Sequence, residues 1–169
     1  MIETQDLILD KANFSDWEGM YHNVWSHPES ARYMLWSVTD NENDARIRMQ
    51  KTIEFQKNHD AFLVYERTTG NPIGFAGVNR IAPAIYEETG ICLGPDYIGR
   101  GFGKQILQAL IQYCEENYGA TEFLYSTREN NVVSNKLAVS QGFTLIASEA
   151  KIDRRNGHPY NLLKYSLKL

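Results

Sequence analysis

The sequence predicts an α/β fold in which helices cover both faces of a mixed central sheet of about six to seven strands. Two observations favour this class. Segments with the apolar spacing of helices are interspersed with segments typical of strands, and three of the strand-like segments are joined only by short turns. The 169 residues contain no linker and no internal repeat, so we expect one domain over residues 1–169.

The first half of the chain predicts one strand followed by two helices. The strand is LILD. The segment NFSDWEGMYHNVW has apolar residues at helical spacing, with Asn13 or Ser15 as the candidate N-cap, and Pro28 ends this pattern. A second helical pattern runs to about residue 57.

The second half predicts six strands and two helices. The strands AFLVYER, IGFAGVNRI and EETGICL follow each other through short turns, so we expect an antiparallel meander. The segment KQILQALIQYCEENYG has the stripe of an amphipathic helix and ends at Gly119. The remaining order is a strand, a short helix and two strands: TEFLYSTR, NVVSNKLAVSQG, FTLIASEAKI and GHPYNLLKYSLKL.

Composition excludes several classes of function. The net charge of −4, without a basic tail, argues against nucleic acid as the main partner. No apolar stretch approaches the ~20 residues of a transmembrane helix, and the N-terminus lacks a signal-peptide pattern. The two cysteines, Cys92 and Cys114, form no CxxC pair, which predicts free thiols and a cytoplasmic location. We expect no metal and no membrane partner, while exposed sheet edges would allow a homodimer.

The segment DYIGRGFGKQ, residues 96–105, places three glycines at alternate positions before the long amphipathic helix. It fails as a P-loop, because Ile98 stands at the first glycine position and Gln105 follows the lysine. It also fails as a dinucleotide fingerprint in both registers. Unpaired N–H groups at a helix start can bind a phosphate, and a linking turn is the alternative.

A second segment, ENNVVSNKLAVSQGF, follows the glycine segment, and the two motifs in this order are more specific than either motif alone. Together the two segments resemble the GNAT N-acetyltransferases. The glycine segment resembles that family's acetyl-CoA pyrophosphate loop, Q/R-x-x-G-x-G/A, and the second segment resembles its N-x-x-S/A…G-F motif. The start of the chain and TGICLGPDYIGRGFGKQIL resemble the RimJ/RimL type, which acetylates ribosomal-protein N-termini, and its small-molecule relatives.

The resemblance implies that acetyl-CoA is the acetyl donor and that two groups of residues hold it. The first group covers a strand and the glycine segment: Ile91, Cys92, Leu93, Ile98, Gly99, Arg100, Gly101, Phe102, Gly103 and Lys104. The second group lies at the later helix: Asn131, Ser134 and Lys136. The chain departs from the family pattern at Ile98, where Gln or Arg is usual, and at Ala138, where many members carry a tyrosine that protonates the leaving thiolate.

The implied reaction is direct acetyl transfer to a primary amine. Glu88 is the candidate general base, and an exposed turn carboxylate is the alternative interpretation. A backbone N–H within residues 91–93 is the expected donor to the thioester oxygen. Ser134 is the candidate acid in place of the absent tyrosine, and a helix-start residue is its alternative role.

Four aromatic residues, Trp25, Tyr33, Trp36 and Tyr160, are candidates for the acceptor slot, although aromatic side chains in such elements are often core residues. An excess of carboxylates, Asp153 among them, would suit a cationic acceptor. Because Ala138 removes the usual acid, a module that binds acetyl-CoA without catalysis is the alternative function. The sequence leaves open which amine is acetylated.

Overall fold

A computed structural model describes residues 1–169. The strands are β1 (Ile2–Glu3), β2 (Leu7–Asp10), β3 (Asp60–Glu66), β4 (Pro72–Ala82), β5 (Ile85–Leu93), β6 (Glu122–Arg128), β7 (Thr144–Ile152) and β8 (Pro159–Lys168). The helices are α1 (Trp17–Met20), α2 (Pro28–Ala31), α3 (Glu42–Gln56), α4 (Phe102–Tyr118) and α5 (Val132–Ser140). All strands join one sheet in the order β1-β2-β3-β4-β5-β6-β8-β7.

The α/β class and the mixed sheet are confirmed, with eight strands where about six to seven were predicted. The additional strand is β1, which pairs with β2 through Ile2 with Leu9 and Glu3 with Ile8. Two residues are too short to produce an alternating pattern, so this strand has no signal of its own. The predicted meander is confirmed, because β3, β4 and β5 pair antiparallel.

The first predicted helix is divided rather than continuous. A 3-10 turn over Phe14–Asp16 precedes α1, and a π-helical turn over Tyr21–Trp25 follows it. Asn13 is the N-cap, and its N–H donates to Oδ2 of Asp16 at 2.7 Å. Pro28 ends the segment as predicted and begins the short helix α2, since proline at the first helical position gives up no hydrogen bond.

Helices cover both faces of the sheet, as β3 illustrates. Phe62 and Val64 belong to the larger hydrophobic cluster, which includes residues of α4 and α5. Leu63 points to the opposite face and packs in a second cluster with residues of α1 and α3. Successive strand residues face opposite sides, so a strand covered on both faces is a continuous apolar run.

Candidate active site

The site is built where two parallel strands separate. β5 and β6 pair only over residues 85–87 and 122–124. Beyond that point β5 carries a bulge, because Val78 of β4 faces Glu88 while Ala76 faces Ile91, and Gly90 has φ +126°. The divergence leaves a cleft of about 450 Å³ between the two strands.

Glu88 lies at the point of separation. Its carboxylate accepts hydrogen bonds from the N–H of Gly90 in the bulge (2.5 Å) and from the N–H of Ser126 on β6 (3.2 Å). Only 8% of the residue is exposed, so the interpretation as an exposed turn carboxylate is wrong. Burial raises the pKa of Glu88 to about 7, although the two backbone hydrogen bonds oppose the shift and Glu87 adds to it. A carboxyl group with this pKa can exchange a proton near neutrality.

Ser134 lies across the cleft at the start of α5. Its N–H donates to Oδ1 of Asn131, the N-cap, at 3.3 Å, so the expected helix-start role is present. Its hydroxyl also forms a 2.5 Å hydrogen bond with the hydroxyl of Tyr125 on β6. Burial, together with the charge of Glu88, raises the pKa of Tyr125 to about 12. Tyr125 therefore stays protonated at neutral pH, and it lines the cleft with its hydroxyl beside that of Ser134.

The glycine segment forms the turn into α4. Gly101 is the N-cap with φ +78°, a conformation that residues with a Cβ adopt only with strain. No side chain caps this end, and the N–H groups of residues 99–103 have no backbone acceptor. A 17-residue helix therefore begins with unpaired donors at the positive end of its dipole, which is the geometry of an anion site.

Of the four candidate acceptor residues, Trp25 is buried in the second core cluster and does not line the cleft. The other three, Tyr33, Trp36 and Tyr160, line it with Glu88 and Ser134. They come from the segment between α2 and α3 and from β8, on either side of the opening.

A partly buried network of ion pairs and hydrogen bonds connects β6, the turn between β7 and β8, and the segment from α2 to Trp36. Asp153 pairs with Arg128 at 3.0 Å and with Arg155 at 2.8 Å. The same Arg155 donates to the carbonyl oxygens of Ala31 and Trp36, both at 2.8 Å. Hydrogen bonds from Arg155 hold the pKa of Asp153 well below its usual range. With its charge neutralised by two arginines, Asp153 is not available to a cationic acceptor, contrary to the expectation from composition.

Comparison with known proteins identifies the family. The model of the acetyltransferase (GNAT) domain matches residues 6–144. The chain belongs to the GNAT acetyltransferase family. It is 25% identical over 167 residues to an uncharacterised N-acetyltransferase p20 of Bacillus licheniformis, covering 97% of this chain and 93% of that protein.

Solved structures share the fold of this GNAT acetyltransferase. RimL, the ribosomal L7/L12 α-N-protein acetyltransferase, in complex with coenzyme A, superposes with a TM-score of 0.80 at 22% identity, over 98% of this chain and 96% of that chain. MccE, the microcin C7 self-immunity acetyltransferase in complex with acetyl-CoA and AMP, gives 0.83 at 20% identity, over 98% and 94%. The resemblance predicted from the two motifs is confirmed at the level of the family.

The side chains expected to contact acetyl-CoA differ in their exposure and in whether they already have a partner within the protein. Lys104 and Lys136 are exposed. Arg100 is bound to Glu66 at 2.6 Å, so its charge is already compensated. Phe102 is 3% exposed within the larger core cluster, which leaves only its backbone for a ligand.

Cys92 is also buried, and its Sγ donates to the carbonyl oxygen of Ser30 at 3.5 Å, away from the cleft. Burial raises the pKa of this thiol to about 12, so it remains protonated. Any contact of Cys92 with the donor would therefore use its backbone.

Tyr125 is not among the site residues predicted from the sequence. Its signal is the alternation of EFLYSTR, which places Phe123, Tyr125 and Thr127 on one face of β6. All three are buried. Alternation predicts burial, whereas the hydrogen bond to Ser134 depends on the packing of α5 against β6.

Two further features bear on the expected partners. None of the helices combines the length and apolar character needed to cross a bilayer. No group of three or more His, Cys, Asp or Glu side chains is arranged to hold a metal ion.

Proposed function

We propose that this GNAT acetyltransferase moves the acetyl group of acetyl-CoA directly to a primary amine, on a protein N-terminus or a small molecule. The observation that carries the proposal is Glu88, a buried carboxyl group with a pKa of about 7 at the separation of β5 and β6. A general base works best when its pKa lies near the working pH.

The proposed step forms one bond and breaks another. The amine nitrogen attacks the thioester carbonyl carbon, a C–N bond forms and the C–S bond breaks. The proton of the amine passes to Glu88, directly or through a water molecule. β5 has no strand partner on its β6 side beyond residue 87, so backbone N–H groups within residues 91–93 can turn to the thioester oxygen.

The proton for the departing thiolate comes from Ser134 and Tyr125 in this proposal. Ala138 is fully buried in the larger core cluster and has no proton to give. The hydroxyl of Ser134 donates to the sulfur as Tyr125, with which it already shares a hydrogen bond, donates to Ser134. Tyr125 lines the cleft and regains its proton from solvent once the products leave. The pair thus occupies the role of the tyrosine that many family members carry on α5.

Removing either hydroxyl should have a modest effect, because a thiolate is already a good leaving group. We expect Ser134→Ala and Tyr125→Phe each to lower the single-turnover rate constant by about tenfold or less, with acetyl-CoA affinity nearly unchanged. The double variant should lose little more than either single variant, since the two hydroxyls act together.

Tyr165→Phe is the matched control for this pair. Tyr165 faces Tyr125 across β6 and β8, is equally buried, and donates to Oδ1 of Asn135 on α5. Its removal costs the same kind of hydrogen bond without touching Ser134. Equal losses in Tyr125→Phe and Tyr165→Phe, or an undiminished rate in Ser134→Ala, would assign the pair a structural role only.

The proposed function is tested by thiol release from acetyl-CoA across a panel of amines, run beside calorimetric binding of acetyl-CoA. The panel includes N-terminal peptides, because RimL is named as an α-N-protein acetyltransferase. It also includes amino acids, polyamines and aminoglycosides. Release with at least one amine supports transfer. Binding without release for every amine would instead favour the catalytically inactive module.

A further inference from the structure

A second cavity of about 360 Å³ adjoins the cleft, between α3 and the sheet. The two cavities share Phe75, Thr89 and Gly90, so they meet at the bulge of β5. Thr89 and Gly90 directly follow Glu88 in the chain. A molecule whose amine lies beside Glu88 could therefore extend another group into this second cavity.

The second cavity is lined by two cations and by no carboxylate. Arg48 and Lys51, one turn apart on α3, are the only charged residues in its wall. The rest of the wall is apolar or neutral. The two positive charges would repel a cationic acceptor and attract an anionic group.

The guanidinium of Arg48 lies against two indole rings. Its Cζ lies 4.6 Å from the ring centroid of Trp25 and 4.5 Å from that of Trp36. Its Nη1 donates to Oγ1 of Thr39 at 3.1 Å. Burial lowers the pKa of Arg48 to about 10, and no neighbouring carboxylate offsets that loss of hydration.

Two other arginines with little-exposed side chains each form an ion pair with a carboxylate. Arg128 and Arg155 both pair with Asp153. Arg48 has no such partner, although desolvating an unpaired charge is unfavourable. The guanidinium lines the cavity, and the N–H donors that it does not give to Thr39 are available to a ligand there.

We propose that Arg48 binds a carboxylate of the acetyl acceptor, with Lys51 adding positive charge in the same cavity wall. The acceptor is then an amine that carries a carboxylate, and not a polyamine or another cation. The exposed edge of a guanidinium forms two parallel hydrogen bonds with a carboxylate. This inference rests on the proposed transfer to an amine, since it names the class of amine.

The test compares acceptors that differ only in a carboxylate. The amidated dipeptides Ala-Glu and Ala-Gln form one such pair. We expect wild type to acetylate the glutamate member with a kcat/KM about tenfold higher or more. Arg48→Gln should bring the two members within about twofold, through a higher KM for the glutamate dipeptide and little change in kcat.

Arg46→Gln is the matched control on the same helix. Arg46 stacks on Trp17 at 4.1 Å and pairs with Glu42, and it lines neither cavity. This variant should keep the full preference for the carboxylate. If Arg48→Gln does not fold, Arg48→Lys carries the test, and its preference should fall by about threefold or more because the bidentate edge is lost.

A second readout does not depend on acetyl transfer. Glutarate, which has no amine, should raise the melting temperature of wild type and of Arg46→Gln but not of Arg48→Gln. If no amine is acetylated, the proposed function fails while this shift still reports the anion site. No carboxylate preference in wild type, equal loss for both dipeptides in Arg48→Gln, or the absence of a glutarate shift would overturn the inference.

Discussion

Glu88→Gln should lower the acetyl-transfer rate constant by about 100-fold at pH 7. Glutamine has nearly the same size but cannot take the proton of the amine. The wild-type rate should rise with pH through an apparent pKa of about 7, the value that burial gives Glu88, and then level off. The variant should lack this titration, and its deficit should shrink at high pH, where free amine is plentiful. Rates are measured in single-turnover experiments from pH 5.5 to 9.

Glu87→Gln is the control for Glu88→Gln. It removes a negative charge one residue away, and Glu87 contributes to the raised pKa of Glu88. We therefore expect this variant to keep most of the rate and to shift the apparent pKa downward. If Glu88→Gln kept the wild-type pH profile, Glu88 would have no part in proton transfer.

The same carboxyl group should also make the free energy of unfolding depend on pH. Its pKa in the folded protein, about 7, lies above the value of 4.5 for an unperturbed glutamate, so the folded state binds the proton more tightly. This contribution is fully present below pH 4.5 and is lost as the pH rises through about 7. Relative to Glu88→Gln, wild type should thus lose about 3 kcal/mol over this range, as measured by denaturant unfolding.

Gly101→Val should weaken acetyl-CoA binding by about tenfold or more, equivalent to about 1.4 kcal/mol. The reason is the open donor-rich turn before α4, where a side chain would stand between the pyrophosphate and the backbone N–H groups. An added Cβ at Gly101 meets no protein atom within 4 Å, so the protein has room for it. Affinity is measured by calorimetry and stability by thermal unfolding.

Gly119→Val separates loss of the site from backbone strain. Gly119 ends the same helix with φ +61°, and its added Cβ likewise meets nothing within 4 Å. Both variants should lose a similar stability, about 1–2 kcal/mol, from the left-handed backbone. Only Gly101→Val should lose affinity for acetyl-CoA. Equal affinities in the two variants would show that the glycine segment is not the phosphate site.

The sequence predicted most helices and strands because their signals are local. The apolar stripe of α4 and its end at Gly119 follow from residues a few positions apart. The two-residue strand β1 had no such signal. The division of the first helix depends on packing that spacing does not encode.

The state of each candidate site residue depended on partners distant in the chain. Glu88 is buried against Ser126, which lies 38 residues away, and only that burial distinguishes a base from an exposed carboxylate. The ion pair of Arg100 with Glu66 could not be predicted either, because Glu66 lies 34 residues earlier in the chain.

The sequence by itself therefore determined the family, the order of most elements and the glycine turn before α4, since periodicity and motif spacing are properties of the chain. Only the tertiary structure decided which groups are desolvated and which are paired. It joined Tyr125 to Ser134 and placed Arg48 against Trp25 and Trp36 without a carboxylate partner. Desolvation and pairing depend on which segments meet across the sheet, and these segments are not neighbours in the sequence.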